Sequence, residues 1–137
     1  MGWIGVDLDG TLAHYQFKEV WDGSIGHPVD LMLSRVKEWL SQGKDVRIMT
    51  ARVAEVDGIT DGPRAVSEQR ALISAWLMEH VGCDLPITAT KDYHMTELWD
   101  DRAVQVQINT GRRMDGAEVF VPQVEPTMAD EARIGQG

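Results

Sequence analysis

The chain has 137 residues, 43% hydrophobic and 26% charged, with a formal net charge of −9 and a single cysteine. That length suits one domain around one core. The acidic balance opposes long-range attraction to nucleic acid or anionic membrane, no apolar stretch is long enough to span a bilayer, and Cys83 alone forms neither an internal disulfide nor a cysteine metal cluster. The first residues are apolar and acidic with no basic start, so no secretory signal and a reducing, cytoplasmic location are expected. Cys83 reads as a small buried hydrophobe near a helix end.

Trp3-Ile4-Gly5-Val6-Asp7-Leu8 reads as a short buried strand running into acidic residues. Asp9-Gly10-Thr11 is a turn signal. Residues 13–27 hold His14, Tyr15, Phe17 and Trp21 without a clean period, as a loop or small hairpin flap would. Pro28 suits the first turn of a helix, where its missing N–H costs nothing. Val29, Leu33, Val36 and Leu40 recur at helical steps, widened by Met32 and Trp39, and Gly43 stops the run. Val46–Met49 predicts a second strand, closing on Thr50-Ala51-Arg52.

Residues 55–63, rich in Gly, Asp and Thr, predict a mobile loop. A second helix is expected from about Arg64 to Val81, with Val66, Ile73, Trp76, Leu77 and His80 on one face and Gly82 as its stop. Residues 86–90 predict a third strand ending at Lys91. After a turn or short helix, Glu97-Leu98-Trp99 leads into Asp100-Asp101. Val104-Gln105-Val106-Gln107-Ile108 alternates strictly and predicts a half-exposed edge strand. Val119–Val121 offers one more short strand, and residues 122–137 read as a loosely held tail. One catalytic domain over residues 1–121 is therefore expected.

Strands alternating with helices imply a parallel sheet with right-handed crossovers. Such sheets carry ligands outside the carboxyl ends of their strands. Asp7, Asp9, Thr50, Lys91, Asp100 and Asp101 all fall at or just past a predicted strand end, so they are expected on one rim. Residues two apart in an extended segment point the same way, and two carboxylates so placed repel unless a cation lies between them. Magnesium takes oxygen ligands, often with a substrate phosphate among them. A carboxylate nucleophile, a hydroxyl, an ammonium and a second acid are what phosphoryl transfer requires.

Asp7-Leu8-Asp9-Gly10-Thr11-Leu12, Thr50, Lys91 and Asp100-Asp101 resemble the four motifs of the haloacid dehalogenase superfamily, in that family's order, over residues 3–101. The resemblance implies a Rossmann-like three-layer α/β/α fold with a mainly parallel sheet and a minimal cap or none. It implies Asp7 as nucleophile, Asp9 as general acid/base, and Thr50 and Lys91 as phosphate positioners. Gly10, Ala51 and Arg52 join as substrate contacts. Magnesium would be held by the Asp7 side chain, the Asp9 backbone carbonyl and the final acidic pair, with Asp101 as direct ligand and Asp100 as its support. An aspartate at position nine marks the phosphatases of that superfamily, not its dehalogenases. Residues 13–28 and 55–63 leave room only for a flap and a loop. The open site of such a capless member admits a phosphate on a large molecule or takes its cover from a second subunit, as a homo-oligomer.

The expected activity is magnesium-dependent hydrolysis of a small phosphate ester, such as a nucleotide or a sugar phosphate. A polynucleotide end is disfavoured by the net charge. The competing expectations are a receiver-like phosphoacceptor module and a catalytically silent metal-binding interaction domain. Receiver domains place their adjacent acidic pair first and the phosphorylated aspartate later, the reverse of the order here. His27, His80 and His94 lack metal-ligand spacing and read as structural.

Overall fold

Trp3–Val6 form the first strand, β1, every residue of it buried, in the computed structural model, which describes residues 2–56, 58, 62 and 64–117. Helix α1 spans Asp30–Ser41. It starts two residues later than Pro28 predicts, because Pro28 is bridged antiparallel to Ala13 and Val29 takes the N-cap. Gly43 ends the turn at a φ of 77°, a left-handed conformation that glycine adopts without a Cβ clash. Strand β2 is Asp45–Met49, followed by one 3₁₀ turn, Ala51–Val53. Helix α2 is Val66–His80, strand β3 is Ile87–Thr88 and strand β4 is Met95–Trp99.

The four strands form an all-parallel sheet in the order β3-β2-β1-β4. Helices α1 and α2 link β1 to β2 and β2 to β3, as the alternation of elements predicts. Their buried residues Met32, Val36, Ile73, Trp76 and Leu77 join Ile4, Val6, Val46 and Ile48 in one core. Alternation along β1 turns Trp3 and Gly5 to the other face. There Trp3 is buried outside that core, with the Arg47 guanidinium 4.8 Å from its ring and its Nε1 donating to Asp92 Oδ1 at 2.8 Å. Among the described residues no helix covers this face. The α/β class and the parallel sheet stand, and the helices that would make a third layer are not among the described residues.

One expectation about strands is extended and one is corrected. The turn expected ahead of Glu97 falls at residues 93–94, and the stretch Glu97-Leu98-Trp99 that leads into the acidic pair belongs to a longer strand, β4, beginning at Met95. Thr96, Glu97 and Leu98 are exposed at the sheet edge, so no buried period marks the strand in the sequence. Residues 104–108 form no strand. Val104, Val106 and Ile108 are exposed, and only a single antiparallel bridge joins Val106 to Arg113. Alternation presents a hydrophobic face but does not provide a neighbouring strand to pair with. Here the chain folds back through Asn109, at a φ of 66°, and Gly111.

The chain divides into two compact units, 1–101 and 102–137. All the helices and strands named above lie in the first. Cys83 is exposed, not buried, because it follows the end of α2 in a bend at the surface. The expected strand at 119–121 and the tail at 122–137 lie outside the described residues, as do positions 57, 59–61 and 63 of the expected mobile loop. No helix among the described residues is long and apolar enough to cross a membrane.

Candidate functional site

The end of β1 still belongs to the sheet when it reaches the first acid, since Asp7 N donates to Trp99 O at 2.9 Å. The chain then turns sharply. Thr11, Leu12 and Ala13 all donate their amides to the Leu8 carbonyl, at 3.2, 3.0 and 2.9 Å. Leu8 and Leu12 are fully buried and fix both sides of this turn in the core. Gly10 sits at a φ of 88°, and a Cβ there would lie 2.6 Å from Asp101 Oδ2. The motif therefore needs glycine twice over, for conformation and for the close approach of the Asp101 carboxylate.

Asp100 and Asp101 follow β4, the strand beside β1. One carboxylate oxygen from each of Asp7, Asp100 and Asp101 lies within 4.8 Å of the other two. Parallel pairing of adjacent strands produces this meeting of residues more than ninety positions apart. Thr11 secures it, because its Oγ1 donates to Asp101 Oδ1 at 3.1 Å and accepts from Asp101 N at 3.0 Å. The same hydroxyl lies 3.5 Å from Asp7 Oδ2.

The Asp7 carboxyl is pushed up to about 7. Burial is the largest cause, a hydrogen bond with the Asp101 side chain the next, and the charge of Asp100 the third. A second negative charge in a partly desolvated cluster is costly. A proton relieves it, and so does a divalent cation.

Asp9 takes a different position from the other acids. Both its oxygens are gripped by Arg52, with Nε donating to Oδ2 at 2.6 Å and Nη2 to Oδ1 at 2.7 Å. Arg52 also donates from Nη1 to Gly23 O at 2.7 Å and Gln69 Oε1 at 3.0 Å, and from Nη2 to Ser24 O at 2.9 Å. Its guanidinium carbon lies 5.4 Å from the Trp21 ring centre. Arg52, expected as a substrate contact, thus already holds protein partners with all its donors.

Thr50 is buried at the end of β2, where its hydroxyl accepts from Arg52 N at 3.2 Å. Its amide donates to Thr88 O at 2.8 Å. Ala51 opens the 3₁₀ turn and is exposed. Lys91 is exposed three residues beyond β3, and no hydrogen bond or ion pair joins it to Asp7, Asp100 or Asp101. The next residue, Asp92, is bonded to Trp3 at the start of β1, the opposite end of that strand from Asp7.

The structure therefore gathers Asp7, Asp100, Asp101 and Thr11, with Gly10 against them. It gathers Asp9, Arg52, Gln69 and the flap carbonyls as a second group, and among the described residues no hydrogen bond or ion pair ties Lys91 to either. Gln69 was not singled out in the sequence, and a glutamine inside a helical stretch carries no signal of this role. Thr11 lay within the recognised motif, but its partner at Asp101 is set by the fold. Comparison with protein-family models, with curated proteins and with solved structures finds no match for this chain.

Proposed function

We propose that this protein is a magnesium-dependent phosphomonoester hydrolase that works through a phosphoaspartyl intermediate on Asp7. The observation that carries the reading is the convergence of Asp7, Asp100 and Asp101 at the ends of two adjacent parallel strands. Hard oxygen donors so close together fit a magnesium ion, and the burial and neighbouring acids that raise Asp7 support the fit. Asp7, Asp101 and Asp100 would hold the ion, which when bound supplies charge neutralisation at the phosphoryl oxygens.

In the first step an Asp7 oxygen forms a bond to phosphorus. The bond from phosphorus to the ester oxygen breaks, and Asp9 gives that oxygen its proton. In the second step Asp9 takes a proton from water, the water oxygen bonds to phosphorus, and the Asp7 carboxylate leaves. Asp9 enters both steps by releasing one of its two bonds from Arg52. Thr50 Oγ1, whose lone pair is used by Arg52 N, keeps its hydroxyl hydrogen for a phosphoryl oxygen.

The test is hydrolysis of a generic aryl phosphate, with magnesium, with chelator, and with Asp7→Asn in parallel. Activity that needs magnesium and is lost in the variant supports the reading. Activity unchanged in the variant overturns the role of Asp7.

A second reading, a metal-binding module without turnover, is favoured by the position of Lys91. Among the described residues no hydrogen bond or ion pair joins that lysine to the acidic group, and every Arg52 donor already has a protein partner. Calorimetric magnesium binding without hydrolysis of any ester in a broad panel would select it.

A further inference from the structure

Arginine carries five N–H donors in a rigid planar fork. In Arg52 all of them are bonded: two to the Asp9 carboxylate, one each to the carbonyls of Gly23 and Ser24, and one to Gln69 Oε1. The side chain is 8% exposed. To contact a substrate phosphate it would have to break one of these bonds. Its partners come from three separate places, namely the turn after β1, the flap and α2, while Arg52 itself sits in the 3₁₀ turn after β2.

The flap is held in two ways. Its base is closed without Arg52, by His14 N donating to His27 O at 2.9 Å, by the stacked rings of His14 and His27, and by Trp76 Nε1 donating to Gly26 O at 2.9 Å. A Cβ at Gly26 would collide with the His14 carbonyl, so the two arms touch closely there. The far part of the flap has its own small network of Lys18, Asp22, Ser24 and Gln16. Among the described residues it is linked to the rest of the fold by the two carbonyl bonds to Arg52 and the stacking of Trp21 beside Arg52 and Arg64.

We infer that Arg52 is a positioning residue that couples the flap to Asp9, so that flap closure and the orientation of the Asp9 carboxylate form one equilibrium. The guanidinium presents the two flap carbonyls and the two carboxylate oxygens to one rigid plane. Opening the flap removes two of the five bonds that orient the fork, and turning Asp9 removes another two. A lysine in its place offers a point charge and three donors, too few and wrongly arranged for this set. The catalytic consequence rests on the hydrolase reading; the coupling itself does not.

The experiment is amide hydrogen exchange on the full-length protein, comparing wild type with Arg52→Gln, Arg52→Lys and Asp9→Asn. The expected result is exchange at least about tenfold faster over residues 15–25 in both Arg52 variants, with β1 and α1 unchanged as internal controls. Asp9→Asn, which removes the carboxylate charge, is expected to speed exchange in the same flap residues. Flap exchange at the wild-type rate in Arg52→Lys, or a response confined to the Arg52 variants, overturns the coupling. If Arg52→Gln loses its fold, the lysine and asparagine variants still decide the question. In the hydrolase assay the coupling appears as a kcat at least about tenfold lower with KM held within about threefold. A rise in KM at constant kcat would make Arg52 a substrate contact and overturn the inference. A protein with no activity, but with flap exchange that responds as stated, leaves the coupling standing and removes the hydrolase reading.

Discussion

Thr11 and Asp101 hold each other twice, through a hydroxyl that donates to the carboxylate and accepts from the backbone amide of the same residue. One side chain thereby fastens the turn after β1 to the end of β4. Thr11→Val keeps the shape and loses both bonds. We expect it to lower stability by about 1–2 kcal/mol and to weaken magnesium binding. Thr11→Ser should recover both properties. Chemical denaturation and calorimetric titration with magnesium measure the two effects.

Asp7 provides a pH signature. Its carboxyl lies near 3.8 when unperturbed and is pushed up to about 7 in the folded chain. The folded state therefore binds more protons than the unfolded state between these values, and stability falls as pH rises through that window. Without metal, the melting temperature should be higher at pH 5 than at pH 8, with a smaller difference in Asp7→Asn. Magnesium needs the ionised form, so its stabilising effect should be larger at pH 8. An Asp7→Asn protein with the wild-type pH slope would assign that slope to other groups.

Asp9→Asn should separate the two chemical steps. An amide cannot take a proton from water, so the phosphoenzyme should form on a reactive aryl ester and persist. Turnover should fall by about 10²–10⁴-fold. Acid-quenched protein mass spectrometry would detect the added phosphoryl group, and turnover at the wild-type rate would remove Asp9 from the mechanism.

Gly10→Ala tests the close approach at the acidic cluster. The new Cβ meets Asp101 Oδ2 and the backbone is held at a φ of 88°. Strain and displacement together should cost more than about 1 kcal/mol, with magnesium affinity falling alongside. Gly43→Ala, with nothing within 4 Å of its added Cβ, carries the backbone strain alone and serves as the control.

Lys91→Met should leave stability within about 0.5 kcal/mol of wild type, since the side chain is exposed and has no described partner. The hydrolase reading expects turnover to fall at least about tenfold at unchanged stability, through lost phosphate neutralisation. Unchanged turnover would remove Lys91 from the site.

Much of this arrangement is written in the order of residues. The apolar run at Trp3–Val6, the helical spacing in α1 and α2 and the glycines that end them specify a βαβαβ chain. The parallel-sheet rule then carries Asp7, Asp100 and Asp101 to one rim without any knowledge of side-chain contacts. Local physics suffices there, because hydrophobic period and chain direction determine where a strand ends. The extent of β4 and the absence of a strand at 104–108 were not legible in this way. An edge strand with an exposed middle has no period to read, and an alternating segment needs a partner that the sequence does not specify. Arg52 depended wholly on tertiary structure. Its role is set by carbonyls at Gly23 and Ser24, a carboxylate at Asp9 and an amide at Gln69. Only folding brings groups from three such distant segments to one guanidinium, because hydrogen-bond geometry belongs to the packed chain and not to the spacing of its residues.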